Sequence, residues 1–416
     1  MRSAGYDRRT VRQVNLNPLR AASNETARDI NRRIVLNLIR IGQPISRADL
    51  ARRSGLQRST VSLIIEALIA DKWVIEGPMG RLPRGRRPTF LHLNDQRAVI
   101  CVDIRPSRIT LGVADVNGGF TSQEMLPTPS DPAVAVKELA RRIRAIVKAQ
   151  PQKGFEGVGV SLPGRVDLSS HHLVFAPNLG WPLTDLKSPL ERATGLEVEL
   201  ENAANACALS EMWFNPTQLR DLVAVTVSEG IGTGILAQGQ LVSGRRGMAG
   251  EFGHVPLDPD GPLCSCGSKG CWEVLASNTA ALRYYFESRP QNRRRDTGHL
   301  TFQDLLRLAD QGDVLAGRAL DRMAAQLGRG ARMIVGGLAP EAIIFIGELT
   351  AAWERFRPII DAEIQTQTLS ATPTLLLAGR DGATARVRGT MVLVLQKHFG
   401  APLSAVSSEH QIAHLG

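Results

Sequence analysis

Apolar residues recur at helical spacing in three consecutive segments near the start of the chain. The first segment, NETARDINRRIVLNLIRIG, begins at Asn24 and ends at Gly42. Asn24 is a suitable N-cap and Gly42 a suitable helix end. The segment predicts an amphipathic helix whose apolar stripe contains Ile30, Ile34, Leu38 and Ile41.

The second and third segments follow closely. In ISRADLARRSG, Ser46 is a candidate N-cap with Asp49 three residues later, and Gly55 ends a short helix. After a tight turn, LQRSTVSLIIEALIADKW predicts a third helix, and three helices in this order predict a helix-turn-helix. The apolar stripe of the third helix contains Val61, Ile64, Ile65, Leu68 and Ile69.

The segment after the third helix, WVIEGPMGRLPRGRRPTFLHLN, predicts two short strands around a loop rich in Gly, Pro and Arg. Such a hairpin is the wing of a winged helix-turn-helix. Arginines on a flexible loop suit the narrow minor groove of DNA or the phosphates beside it. The loop arginines are Arg81, Arg84, Arg86 and Arg87.

Polar residues at the start of the third helix are the candidates for contact with DNA, because this helix enters the major groove in such units. Arg58, Ser59 and Ser62 are the candidate base readers, and Arg58 has the geometry to bind guanine bidentately. Gln57 lies beside them, and Thr60 holds a phosphate or caps the turn. A small helical bundle without a ligand is the alternative.

The pattern changes after residue 95. Strand-like segments such as RAVICVDI, ITLGVADVNG and GVGVSLPG alternate with the amphipathic helix DPAVAVKELARRIRAIVKAQ. The segments DLVAVTVSEGIGTGIL and APEAIIFIGE repeat this alternation later in the chain. We therefore expect an α/β body with two lobes, and we expect its ligand in the cleft, near strand ends and glycine turns.

The charge of the chain is concentrated at its start. Residues 1–95 hold 18 Lys plus Arg against 8 Asp plus Glu, whereas the other residues hold 32 of each, so the net charge of +10 belongs to the first quarter. A cationic head on a neutral body favours a polyanionic partner, most commonly nucleic acid, although a solvated basic tail has the same charge. Residues 1–23 contain five arginines without periodicity, and we interpret them as a flexible basic arm.

Three of the five cysteines are clustered, at Cys264, Cys266 and Cys271. The chain starts without a secretory signal and contains no run long enough to span a membrane, so we expect a cytoplasmic protein in which clustered cysteines bind metal. With His254 they form a Cys3His set that suits a closed, structural zinc site, and Gly267 and Gly270 permit tight turns. Unliganded thiols are the alternative, and a disulfide is less favourable. Cys101 and Cys207 are interpreted as buried packing residues.

Four features together resemble the ROK family, which groups repressors, open reading frames and sugar kinases. The resemblance covers about residues 24–400 and implies the two-lobed, actin-like fold of sugar kinases. The DNA-binding head indicates the repressor branch. The features are the winged helix-turn-helix and the motifs SLPGRVD at 161–167, ENAANACALSE at 201–211 and GEFGHVPLDPDGPLCSCGSKGCWE at 250–273.

The resemblance implies a sugar site beside the loop 254–271, which carries the predicted metal ligands. Glu251, His254 and Glu273 match positions that contact sugar hydroxyls in the sugar-binding members, and Asn202 and Gly164 lie in motifs that line the same pocket. Carboxylates and amides bond hydroxyls in fixed directions, which allows a pocket to distinguish sugars. His254 can serve both sites, with one ring nitrogen on the metal and the other toward the sugar.

Three departures from the kinases of this family predict that the chain is not an enzyme. The aspartate that acts as general base in the kinases is replaced by Ala203, which cannot accept a proton. The first phosphate loop reads DIRPS from Asp103, with Arg105 and Pro106 in place of glycines. In the second glycine turn, Glu229 stands where a small neutral residue is usual, and its carboxylate would repel ATP.

The sequence thus predicts a transcriptional repressor with three parts. They are the basic arm at 1–23, the winged helix-turn-helix at 24–95 and the ROK body at 96–416, which includes the zinc loop 254–271. We expect a homodimer or tetramer on a near-palindromic duplex operator, with a sugar or sugar derivative as effector. The alternatives are a sugar kinase with a DNA-binding head and a DNA-binding protein whose body only dimerises.

Overall fold

The structure is a computed structural model of the 416-residue chain. The residues that it describes are 24–79, 89–167, 172–176, 178–214, 219–290, 300–365, 373–380 and 384–399. The predicted arm at 1–23 lies outside these ranges, as do the loop arginines between the two strands of the wing.

The head consists of three helices and a small antiparallel sheet. β3 lies at the centre of this sheet and pairs with both other strands, so the predicted wing strands form a hairpin. The helices are α1 (Asn24–Gly42), α2 (Arg47–Ser54) and α3 (Arg58–Ala70), and the strands are β1 (Ile45–Ser46), β2 (Val74–Met79) and β3 (Thr89–Leu93).

Local capping fixes both ends of α2. The Ser46 side chain accepts a hydrogen bond from the backbone N–H of Asp49 at 3.2 Å, and the Ser46 hydroxyl donates to the Asp49 carboxylate at 2.7 Å. Gly55 ends α2 in the left-handed conformation, with φ of 71°, which an L side chain rarely adopts. The predicted cap and stop are therefore both present.

The first lobe contains a five-stranded mixed sheet in the order β10-β7-β4-β5-β6. β4, β7 and β10 are parallel, and β4, β5 and β6 form an antiparallel meander. The lobe contains β4 (Arg97–Ile104), β5 (Arg108–Asp115), β6 (Phe120–Pro127), α4 (Pro132–Ala149), β7 (Gly154–Leu162), the hairpin β8 (Arg165–Asp167) and β9 (His172–Phe175), α5 (Lys187–Thr194), β10 (Val198–Asn202) and α6 (Ala203–Phe214).

The second lobe repeats this topology. Its sheet has the order β13-β12-β11-β14-β15, so each lobe has an antiparallel meander on one side of its first strand and two parallel strands on the other. The elements are β11 (Leu222–Val227), β12 (Ile231–Ala237), β13 (Gln240–Leu241), α7 (Trp272–Ala276), α8 (Asn278–Ser288), α9 (Phe302–Asp310), α10 (Val314–Leu338), β14 (Ala342–Gly347), α11 (Trp353–Gln365), β15 (Leu375–Ala378) and α12 (Ala385–Phe399).

The helices α6 and α12 pack between the two sheets. Their apolar residues join one face of each sheet in a single buried cluster, and the other faces are covered by α4 and α5 in the first lobe and by α7–α11 in the second. The contact is close, because a Cβ atom at Gly389 would collide with the carbonyl oxygen of Ala206, and one at Gly159 with that of Thr390. The two lobes are therefore joined by tightly packed helices.

Cys101 and Cys207 lie in this central cluster, fully buried, as predicted for packing residues. Burial raises the pKa of each thiol to about 12, so both remain protonated and unreactive at neutral pH. Among the helices that the structure describes, none combines the length and the apolar character needed to cross a membrane.

The C-terminal end of α12 holds the head against the body. Phe399 is fully buried and contacts Trp73 of the head and Trp213 of α6 edge-on, with ring centroids 5.8 and 5.0 Å apart. The same buried cluster contains the core of the head, including Leu50, Val61 and Leu68. The head and the first lobe therefore share one hydrophobic core.

Polar side chains of α1 complete this junction. Asn37 donates a hydrogen bond to the carbonyl of Phe399 at 2.8 Å, and Arg40 donates to that of Trp213 at 2.8 Å while its guanidinium lies 4.2 Å from the Trp213 ring. Burial lowers the pKa of Arg40 to about 10. Asn37 and Arg40 thus both find hydrogen-bond partners in the body, as buried polar side chains generally do.

The buried face of α1 differs from the predicted one. Ile30 and Ile41 are 45% and 53% exposed, whereas Val35, Leu36 and Ile39 are fully buried. The helix packs against α2, α3 and β3 in the head and also against α12 of the body. The predicted stripe is therefore rotated, because α1 must bury residues toward two partners, of which local periodicity indicates only one.

We expect Phe399→Ala to destabilise the head and first lobe by about 3–5 kcal/mol, since it removes a fully buried aromatic ring. Urea unfolding followed by tryptophan fluorescence measures the change, because Trp73 and Trp213 lie against Phe399 and contribute to the signal. Val314→Ala is the control, because Val314 is 63% exposed and its truncation should cost less than about 0.5 kcal/mol. Equal stability of the two variants would show that the junction is not a shared core.

Candidate functional sites

The N-terminal half of α3 presents the predicted base-reading residues at the surface. Gln57 is the N-cap residue of α3, and its side chain makes no capping bond. Gln57, Arg58 and Ser59 are exposed, and Thr60 and Ser62 are half-buried. The opposite side of the helix is anchored in the core by Val61, Ile64, Ile65 and Leu68.

Two further residues share this exposed face and were missed by the sequence analysis. Leu63 is 68% exposed, and Glu66 is exposed one turn beyond it. The signal was present, because Leu63 follows Ser59 by four residues and such residues lie on the same side of a helix. Leu63 was not predicted as a contact, because polar side chains were expected on this surface.

Arg58 is available for an external anion. It forms no ion pair with any residue in the described ranges, whereas Arg47 pairs with Glu76 at 2.8 Å and Arg52 with Asp49 at 2.6 Å. The wing arginines Arg81, Arg84, Arg86 and Arg87 lie outside the described residues, so their predicted contacts with DNA stay predictions.

The four predicted metal ligands converge in the second lobe. The ligand atoms of His254, Cys264, Cys266 and Cys271 all lie within 4.8 Å of one another. His254 Nδ1 is 3.5 Å from Cys264 Sγ, and the sulfur atoms of Cys266 and Cys271 are 3.6 Å apart. Sulfurs bound at ~2.3 Å to a tetrahedral zinc would lie ~3.8 Å apart, so the cluster has the dimensions of such a site.

The loop that carries the cluster is shaped by two glycines in the left-handed conformation. Gly267 has φ of 92° and Gly270 has φ of 61°, which allows the loop to turn back so that Leu263 pairs with Lys269. The loop thus brings Cys264 and Cys266 toward Cys271, which precedes α7.

The thiols of the cluster differ in acidity. Burial opposes ionisation of Cys266, but hydrogen bonds from Ser268 and the neighbouring thiols outweigh it and lower the pKa of Cys266 to about 7. Burial and the two neighbouring thiols raise the pKa of Cys271 to about 12. Ionisation of one thiol therefore opposes ionisation of its neighbours.

The candidate sugar contacts adjoin this cluster. Glu251 Oε2 lies 4.0 Å from His254 Nε2, so the histidine ring has one nitrogen toward Cys264 and the other toward a carboxylate. Glu273 is almost fully buried, accepts a hydrogen bond from the backbone N–H of Ile231 at 3.2 Å and lies 3.8 Å from Cys264 Sγ. Glu251 and Glu273 therefore each lie beside a residue of the Cys3His cluster.

The other two candidates, Asn202 and Gly164, are paired with each other in the first lobe. The Asn202 amide donates to the Gly164 carbonyl at 2.6 Å and accepts from the Ala204 N–H at 2.8 Å, which fixes its side chain at the start of α6. The next residue, Ala203, is 6% exposed and offers no side-chain atom that can take up a proton.

Asp103, the first residue of the segment DIRPS, is held by three side chains around it. Asp103 is fully buried and accepts hydrogen bonds from Ser161 at 2.7 Å, Arg105 at 2.8 Å and Arg386 at 2.9 Å. Burial acts against its charge, but the two arginines outweigh this and lower the pKa of Asp103. The carboxylate is therefore ionised, fully buried and bonded to three side chains.

Arg105 also links the two lobes electrostatically. Burial disfavours its charge, but Asp103 and Glu229 of the second lobe, together with its hydrogen bond to Asp103, raise the pKa of Arg105. Arg105 and Glu229 lie in the segments that match the two phosphate loops of the kinases, and their opposite charges favour each other.

Comparison with known proteins agrees with this architecture. The sequence profile of the ROK family matches residues 99–397. The xylose repressor of Bacillus subtilis (strain 168) is 32% identical over 385 residues, which are 91% of this chain and 98% of that repressor.

Two solved structures have the same fold. A ROK family transcriptional regulator, described as a homolog of the E. coli MLC protein, superposes with a TM-score of 0.76 at 24% identity over 90% of this chain and 98% of that chain. A ROK family glucokinase from Streptomyces griseus, solved with glucose and AMPPNP, gives a TM-score of 0.65 at 30% identity over 72% of this chain and 99% of that chain. The predicted two-lobed body with a winged head is confirmed, and the chain belongs to the ROK family.

Proposed function

We propose that the protein is a transcriptional repressor that binds operator DNA through its head and responds to a sugar bound in its body. The observation that carries the proposal is the winged helix-turn-helix, with the exposed polar face of α3, packed onto a ROK body that lacks a general base. The similarity to a xylose repressor over nearly the full length of both chains supports this reading.

The head supplies the chemistry for DNA binding. Arg58 is exposed and without an acidic partner in the described ranges, so its guanidinium is free to bond guanine in the major groove. The arginines of the wing add sequence-independent attraction to the backbone. We propose a homodimer or tetramer on a near-palindrome, with half-sites about 10 base pairs apart or a multiple of this.

The body supplies a sugar site at Gly164, Asn202, Glu251, His254 and Glu273. The glucokinase relative was solved with glucose, and it matches 72% of this chain. Fixed carboxylates and amides suit the hydroxyls of an aldose such as xylose or glucose. Asn202 and Glu273 are both held by backbone hydrogen bonds, so they are already oriented before a ligand arrives.

We infer that the body does not transfer phosphate. Loss of the base to Ala203 would by itself cost about 10²- to 10⁴-fold in rate. The ion pairs of Asp103 with Arg105 and Arg386 engage its carboxylate within the protein, which makes it less available to a nucleotide or its metal ion. The same fold therefore acts as a receptor.

We assign zinc to the Cys3His cluster. Three sulfur ligands and one imidazole at these separations fit a closed tetrahedral ion, which leaves no position for a reactive water. Metal binding would hold His254 beside Glu251 and Cys264 beside Glu273. The role of the ion would therefore be structural, because it would keep these residues of the proposed sugar site in place.

The helix α12 gives a physical route between the sugar and the DNA. Its first turn carries Arg386, bonded to Asp103 near the cleft, and its last residue, Phe399, lies against the head. Fifteen helical residues span about 22 Å. A sugar that favours one arrangement of the lobes would shift the spacing of paired heads, with a coupling of about 1–3 kcal/mol.

We expect Arg58→Ala to weaken binding to a selected operator by about 1–3 kcal/mol and to weaken binding to random duplex much less, because the guanine contact is lost. Arg86→Ala combined with Arg87→Ala should instead weaken both and flatten the salt dependence by roughly one unit per phosphate contact. Arg141→Ala, in an exposed position on α4, is the control. Equal losses on both duplexes for Arg58→Ala would contradict base reading.

We expect a cognate sugar to stabilise the chain by about 2.7 kcal/mol at 100 times its Kd, measured by thermal shift over a panel that includes xylose and glucose. Glu251→Gln should weaken the sugar by about 10- to 100-fold through loss of a charged hydrogen bond. Glu138→Gln, on the surface of α4, should leave it unchanged. ATP-dependent formation of a sugar phosphate would contradict a receptor role, and a panel without any shift would contradict sugar sensing.

We expect the wild-type chain to hold one zinc ion and Cys266→Ser to lose most of it, measured by elemental analysis of the purified protein. A chelator should lower the melting temperature of the wild type and have little effect on the variant. Cys207→Ser, a change at a buried thiol outside the cluster, should retain the zinc. Unchanged zinc content in Cys266→Ser would remove this cysteine from the site.

A further inference from the structure

An isolated apolar side chain projects from the DNA-facing side of α3. Leu63 is 68% exposed, whereas Val61, Ile64, Ile65 and Leu68 on the opposite side of α3 are buried. Its side chain is therefore accessible to a partner that contacts the exposed face of α3.

The position of Leu63 along α3 places it within reach of base edges. It is the sixth residue of the helix, so its Cα lies about 7.5 Å from that of Arg58 along the axis. It shares the exposed face with Ser59, one turn earlier. In a helix-turn-helix this part of the recognition helix enters the major groove.

Base-pair edges in the major groove offer one prominent apolar group. This is the 5-methyl group of thymine, whereas the other exposed groups are hydrogen-bond donors and acceptors. A leucine cannot bond those polar groups, but it can cover the methyl and exclude water from it. The neighbouring hydroxyls of Ser59 and Ser62 can bond polar groups of adjacent bases.

We infer that Leu63 is a specificity-determining residue that packs on the 5-methyl group of a thymine in the operator. The inference rests on the proposed function, because it requires the head to bind DNA. The operator must therefore contain a thymine beneath the second turn of α3 in each half-site.

A protein partner is a less suitable occupant of this surface. The residues around Leu63 on the exposed face are Ser59, Ser62 and Glu66, with Arg58 at the helix start. A stable protein interface needs about 800 Å² from each partner and a largely uncharged centre. A single leucine among polar and charged side chains matches one methyl group in an otherwise polar groove.

The test uses the full-length chain and a duplex that the wild type selects from a randomised library. Each thymine of that duplex is replaced in turn by deoxyuridine, which removes the methyl group and keeps the base pair. We expect the wild type to lose about fourfold in affinity at one position of each half-site, which corresponds to one buried methyl. Leu63→Ala should bind the thymine duplex more weakly and should no longer distinguish thymine from deoxyuridine there.

Ile41→Ala is the matched control, because Ile41 is also an exposed apolar residue of the head but lies on α1, and it should keep the fourfold preference. Leu63→Ala should keep the salt dependence of the wild type, since no phosphate contact is lost. An unchanged thymine preference in Leu63→Ala, or no preference in the wild type, overturns the inference. So does a change in the sedimentation of Leu63→Ala without DNA, which would indicate a protein contact.

Failure of the proposed function would give a different result. If the library yields no enriched duplex and the chain retains no DNA in a gel, the head does not bind DNA, and both the proposed function and this inference are wrong. Enrichment of a duplex without a methyl effect would overturn only the role of Leu63.

Discussion

The packing of α12 between the two sheets is the contact on which the rest of the structure depends. The last helix that the structure describes returns to the first lobe and lies so close to α6 and β7 that Gly389 and Gly159 have no room for a Cβ atom. Its final residue, Phe399, completes the core of the head. One helix therefore joins the first lobe, the second lobe and the DNA-binding module.

This arrangement makes the head a rigid part of the first lobe. Only Asn94, Asp95 and Gln96 separate the last strand of the head from the first strand of the body, and Arg40 and Asn37 bond directly to body carbonyls. A change in the angle between lobes would therefore move the head as one unit with its lobe. In the proposed oligomer, this change in the angle between the lobes would alter the distance between the α3 helices of two copies of the chain.

The electrostatics of the cleft support the proposed role of the body as a receptor. In this chain Asp103 is neutralised by Arg105 and Arg386, and Arg105 is attracted to Glu229 across the lobes. Internal ion pairs thus occupy the loops that hold a nucleotide in the kinases. The proposed sugar contacts Glu251 and Glu273 lie beside the Cys3His cluster, and Glu273 also accepts a hydrogen bond from Ile231 in the second glycine turn.

The sequence by itself determined the features that arise from local interactions. The cap at Ser46, the stop at Gly55, the alternation of strands and helices, and the spacing of Cys264, Cys266 and Cys271 are all set by neighbours along the chain. The repeated alternation also predicted two lobes, and the family resemblance added their actin-like fold. These predictions succeeded because periodicity, capping and ligand spacing act over a few residues.

Only the tertiary structure decided which surfaces meet. The buried face of α1 turns toward Val35, Leu36 and Ile39 because the helix packs against both head and body. One of the hydrogen bonds to the buried carboxylate of Asp103 comes from Arg386, which lies 283 residues away in the sequence. The exposure of Leu63 likewise follows from where the rest of the head packs. Contacts between distant segments have no local signature, and so the sequence alone could not determine them.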